Sequence, residues 1–103
     1  MQIKELIERL IEKTNDDTYK WEYQRDNLYR LVVPFGSISI ERVWNPIGSI
    51  YVYDVGLYDK DSCFARYDSK KNKDVQFEAL YKAIIANRNR VIEKKIDDVF
   101  GDI

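Results

Sequence analysis

The sequence predicts an α+β domain in the order α-β-β-β-β-β-α, a five-stranded antiparallel meander sheet with N- and C-terminal helices packed on one face. Three observations predict it. Apolar residues recur at three- and four-residue steps near the start, the period drops to two from residue 18 to 68, and the helical period returns from about residue 74 to 100. A chain of 103 residues has room for one core, so residues 1–103 are read as a single domain.

Ile3, Leu6, Ile7, Leu10 and Ile11 form the stripe of the first helix, with Lys4, Glu5, Glu8, Arg9, Glu12 and Lys13 between them. Thr14, Asn15, Asp16 and Asp17 end it with turn-forming residues. Four turn signals then divide residues 18–68 into five strands: Asp26-Asn27, Pro34-Phe35-Gly36, Asn45-Pro46-Ile47-Gly48 and Asp59-Lys60-Asp61-Ser62. The last helix carries Phe77, Leu80, Tyr81, Ile84, Ile85, Val91, Ile92, Ile96, Val99 and Phe100, with Gly101 as its stop. At roughly 40 Å it is longer than an eight-residue strand of roughly 25 Å. It is therefore expected to overhang the sheet or to bend near Asn87, Arg88 and Asn89.

Turn lengths set registers, and registers set which side chains share a face. A four-residue loop at 45–48 pairs Arg42 with Tyr51 and Ile40 with Tyr53. A tight turn at Phe35-Gly36 pairs Val33 with Ile38, a three-residue loop 26–28 with a left-handed Asn27 pairs Tyr23 with Leu31, and the last turn pairs Leu57 with Phe64 and Val55 with Arg66. The expected core face is then Tyr19, Trp21, Tyr23, Tyr29, Leu31, Val33, Ile38, Ile40, Trp44, Tyr51, Tyr53, Val55, Leu57 and Phe64. Two helices cover only one side of such a sheet, so the opposite face should meet solvent.

Composition narrows function chiefly by exclusion. Seventeen basic and eighteen acidic residues nearly cancel, which argues against a nucleic-acid binder that works by neutralising phosphates. There is no histidine, the commonest general acid–base group, and one cysteine without histidine builds no ordinary zinc site. Cys63 has no evident activating base, the glycines form no phosphate-binding fingerprint, and Asp59-Lys60-Asp61 lacks the glycine and glutamate that complete a calcium loop. The reading is of a protein that is not an enzyme, with no catalytic residues, metal or cofactor. With no membrane span and no signal peptide in the opening residues, a cytoplasmic location is expected. The wealth of Ile, Lys, Asn, Asp and Tyr suits AT-rich coding, as in a low-GC bacterium or its phages and mobile elements.

Two surfaces are candidates for function. On the open sheet face, Arg30, Val32, Val43, Ile50, Val52, Tyr58 and Tyr67 form the expected docking patch for a protein partner, either a different chain or a second copy. The end of the last helix offers another, with Val99 and Phe100 beside Asp97, Asp98 and Asp102. An alternative of a different class is a small-ligand site for a nucleotide-like anion. It would be built on the inner face from Arg42, Arg66, Tyr51 and Tyr53.

Overall fold

The computed structural model describes residues 1–103 as one α+β fold. Its elements in chain order are α1 (Ile3–Asn15), β1 (Glu22–Arg25), β2 (Leu28–Val33), β3 (Gly36–Asn45), β4 (Ile50–Asp59), β5 (Ser62–Asp68) and α2 (Phe77–Phe100). The five strands form one antiparallel sheet in sequence order. Both helices contribute to a single core: Ile7 and Leu10 of α1 and Phe77, Leu80, Tyr81 and Ile84 of α2 pack with Tyr29, Leu31, Ile38, Ile40, Tyr53 and Val55 of the sheet.

The expected side-chain parity holds through β2, β3 and β4, although the registers do not. Leu31 faces Ile38, Ile40 faces Val55 and Arg42 faces Tyr53, each hairpin being displaced by two residues from expectation. Pro34 and Phe35 form the whole β2–β3 turn, and residues 46–49 form the β3–β4 loop, with Gly48 at φ 90° and Ser49 at φ 50°. A displacement of two preserves the face of every side chain, which is why the centre of the core survives the error; Tyr23, Trp44 and Tyr51, expected in it, are instead 49%, 52% and 43% exposed. A Cβ on Gly36 would collide with the Tyr58 carbonyl, so this position closes the β2–β3 turn against β4.

Two irregularities have larger consequences. In β1 the loop is two residues long, with Asn27 left-handed at φ 67° as expected, and an extra residue between Tyr23 and Arg25 puts Tyr23 opposite Tyr29. That bulge does the work assigned above to a longer loop. In β5, Tyr58 faces Cys63 while Leu57 faces Ala65, so Phe64 is the additional residue of a second bulge. Beyond it the faces exchange: Tyr67 lies opposite Val55 and packs on the core, and Arg66 lies opposite Gly56 on the open face. The expectations that Tyr67 is on the open face, Arg66 inside and Phe64 buried are therefore corrected; Phe64 is 66% exposed at the sheet edge.

Thr14 belongs to α1 and is fully buried, accepting a hydrogen bond from the Trp21 indole at 2.9 Å. Close by, Asn87 of α2 is fully buried and donates to Asp17 at 2.8 Å. Arg90 closes on the same carboxylate, its Nη2 2.7 Å from Oδ1. Asp17 itself is left-handed at φ 62°. The two hydrogen-bond donors, Arg90 first and Asn87 second, hold its carboxyl below the ordinary aspartate range.

Past this lock α2 continues without a break in its helical turns and leaves the core. Every residue from 91 to 100 is exposed. The radius of gyration is 14.9 Å, against about 13 Å for a compact domain of this length, and the longest dimension is 49 Å.

Candidate functional site

The open sheet face is organised in rows across the strands. One row holds Arg30, Ser39, Gly56 and Arg66, and the next, two residues along each strand, holds Glu41, Asp54 and Asp68. Ser39 and Gly56 are small, and a Cβ on Gly56 would stand 3.0 Å from both Ser39 Oγ and the Tyr58 ring. Tyr58 therefore lies along the sheet. Its ring centroid is 6.0 Å from the Arg30 guanidinium, and its hydroxyl accepts from Arg66 at 3.3 Å. These side chains, with Arg25, Glu41, Asp54 and Asp61, surround a cleft of about 360 Å³.

Charge in this cleft is incompletely paired. Arg25 binds Glu41 at 2.8 Å, but Arg30 and Arg66 have no carboxylate partner. Arg30 donates to Ser37 at 3.0 Å, while its Nε is buried without an acceptor. Asp54 is pushed above the ordinary aspartate range, first by burial and then by the carboxylates of Asp68 and Glu41. The arrangement is a polar cleft lined by both signs of charge, Arg25, Arg30 and Arg66 with Glu41, Asp54 and Asp61, in which two guanidiniums have no ion-pair partner.

The apolar patch expected on this face is divided. Val43 pairs with Val52 at one end, and Val32 pairs with Ser37 at the other, with the polar rows between them. Ile50 and Val32 are 57% and 58% exposed, but Val52 is only 9% exposed. Ser69 continues the ladder past β5, donating its N–H to the Tyr53 carbonyl and accepting the Tyr53 N–H through its Oγ, and Lys70 next to it lines the same recess as Val52. Of the seven residues proposed for docking, Arg30 and Tyr58 belong to the polar cleft, Val43 and Ile50 to one apolar end, and Val32 to the other. Val52 is covered and Tyr67 is inside.

The inner-face ligand site separates in the same way. Arg42 is held between the rings of Tyr51 and Tyr81, 4.3 and 5.1 Å from their centroids, and donates to Asn27 at 3.1 Å. Tyr53 is buried, and burial raises its hydroxyl above the ordinary tyrosine value. Arg66 is on the other side of the sheet, so the four residues do not meet. The Arg42 cluster closes the core between β3, β4 and α2, its guanidinium stacked on the two rings.

Two exposed apolar surfaces lie off the sheet faces. Phe35, 92% exposed, and Phe64 border a cleft with Leu6, Val33, Ile38 and Leu57 at one end of the sheet. Sequence patterning assigned Phe35 to a turn and Phe64 to the core, and only the β5 bulge brings them to one surface. The second is the projecting half of α2, where Val91, Ile92, Ile96, Val99 and Phe100 are 44 to 59% exposed. Full burial of such side chains contributes about 1.5–3 kcal/mol each, and here much of it is not realised within the chain.

No three His, Cys, Asp or Glu side chains cluster closely enough to hold a metal ion, and no helix is long and apolar enough to cross a membrane. The class defined by these features is an α+β domain with one helix-covered and one open sheet face and a partly unsupported C-terminal helix. No family model, curated protein or solved structure matches the chain.

Proposed function

We propose that this protein is a non-catalytic interaction module that engages a protein partner through the projecting half of α2. The observation that carries the reading is the apolar stripe of Val91, Ile92, Ile96, Val99 and Phe100, exposed on a helix that has already left its own core. Presenting an amphipathic helix to a groove or to another helix is a recurrent mode of recognition, and contiguous exposed apolar surface is what it requires. Size and composition suit an inhibitor or adaptor of a phage or mobile element, acting in the cytoplasm of a low-GC bacterium.

Immobilised wild-type chain and the double variant Ile92→Glu, Ile96→Glu, compared as baits, test this reading. A binding protein retained by the first and lost from the second, with circular dichroism and melting temperature unchanged, is the expected result. Equal retention by both baits rejects α2 as the docking element.

A second reading, small-ligand binding, draws on Arg30 and Arg66, the two guanidiniums of the open-face cleft that have no carboxylate partner. A small anion would bridge them beside Tyr58. Thermal shift against inorganic phosphate and a nucleotide panel tests it: selective stabilisation that Arg66→Ala abolishes is expected, and no stabilisation by any member removes the reading.

A further inference from the structure

Accepting that the free half of α2 is the docking surface, we infer that its occupant is a second copy of this chain, with the two α2 segments paired antiparallel about a two-fold axis near residues 97 and 98. Spacing is the first argument. Ile92, Ile96, Val99 and Ile103 follow at steps of four, three and four, the seam repeat of paired helices, and all four are exposed. Ile103 lies just past the end of the helix, its N–H bonded to the Phe100 carbonyl at 3.0 Å.

Charge order is the second argument, and it selects direction. The overlapping segment is basic first, with Lys94 and Lys95, and acidic afterwards, with Asp97, Asp98 and Asp102; Glu93 is the one acid in the basic block, and Arg88 and Arg90 lie before it, held within the chain by the Trp21 carbonyl and Asp17. Parallel pairing would lay like blocks together. Antiparallel pairing lays the basic block of each copy along the acidic block of the other. Lys95 and Asp102 each precede a seam residue and flank the same side of the stripe. With Ile96 against Val99 and Ile92 against Ile103, Lys95 of one copy comes beside Asp102 of the other, and symmetry repeats the pair.

The helix end supplies a third argument. No base lies in the last turn of α2, so its aspartates oppose the negative end of the helix dipole. Lysines from an antiparallel neighbour would compensate them. A two-fold arrangement also closes on itself, because each copy offers and receives the same surface. The overlap is about a dozen residues, roughly 18 Å of helix, so the contact falls in the small class of interfaces below about 1,200 Å² and should exchange with concentration.

Sedimentation equilibrium of the full chain over a concentration series is the test. The mass should rise from 12.3 kDa toward twice that value. Ile96→Glu should hold it at the monomer mass without loss of helicity. Lys95→Asp or Asp102→Lys alone should weaken association by roughly three- to thirtyfold, and the two swaps together should restore it. A monomer at every concentration overturns the inference, as does a dimer indifferent to Ile96→Glu. Dissociation by Phe35→Ser or Phe64→Ser alone would assign the contact to the other apolar cleft, and failure of the double swap to rescue would overturn the antiparallel arrangement. A monomer whose bait still loses a foreign protein on Ile92→Glu, Ile96→Glu would reject the second copy while leaving the docking helix in place.

Discussion

The two halves of α2 are written in the same pattern and have opposite fates. Phe77, Leu80, Tyr81 and Ile84 are buried against the sheet and α1, whereas Ile92, Ile96, Val99 and Phe100 continue the helix into solvent. The difference is not one of propensity, since the helix is continuous from residue 77 to 100. It comes from the extent of the layer beneath. Tyr81 of α2 meets both Tyr53 of β4 and Tyr29 of β2, and two turns later Arg88 reaches Tyr29, Tyr23 of β1 and the Trp21 carbonyl just before it. β1 is the edge strand, so beyond Arg90 no sheet remains to cover the stripe. Burial ends where the sheet ends.

The largest expected effect sharpens that contrast directly. Ile84→Ala should cost about 2–5 kcal/mol of unfolding free energy, as large-to-small changes in a packed core do. Ile96→Ala should change it by no more than about 0.5 kcal/mol in urea denaturation at a dilution that keeps the chain monomeric. Comparable losses at both positions would mean that the outer half also belongs to the core.

The boundary between the halves comes next. Thr14→Val keeps the shape of the side chain but leaves the buried Trp21 indole N–H without its acceptor, an expected loss of about 1–3 kcal/mol. Tryptophan fluorescence during denaturation reads it. A neutral result would show that water replaces the threonine oxygen and that this joint is looser than the core around Ile84.

The smallest effect is at the lock itself. Asp17 has a depressed pKa in the folded chain, so its contribution is fully present above the ordinary aspartate pKa and is lost as pH falls through the lower folded value. Asp17→Asn, which tolerates the left-handed backbone, should be less stable than wild type at neutral pH, and the gap should close under acid conditions. A gap that stayed constant with pH would show that Arg90 and Asn87 do not act through the charge.

The sheet shows why part of the candidate site was legible in advance and part was not. Alternation in β2, β3 and β4 identifies Leu31, Ile38, Ile40, Tyr53 and Val55 as core whether or not the turn is placed correctly, because displacements of two leave every side chain on its face. A bulge is a displacement of one, and nothing in Ser62-Cys63-Phe64-Ala65 announces it. That single residue exchanges Arg66 with Tyr67, removes Tyr67 from the docking patch and completes the polar cleft with a guanidinium expected inside. Val52, expected to be exposed, is only 9% exposed, and the extension of the ladder by Ser69 beside Tyr53, which brings Lys70 to the same recess, is equally invisible in the local pattern of β4.

Local periodicity therefore determined, from the sequence alone, the seven elements, their order, the antiparallel meander and the inward side of its three middle strands, since each depends on neighbours a few residues away. The face of β5, the cover over Val52, the company of Arg42 and the length of α2 left bare were decided only in three dimensions. They depend on strand registers, bulges and the width of the sheet, which are properties of how the elements assemble and not of any one of them.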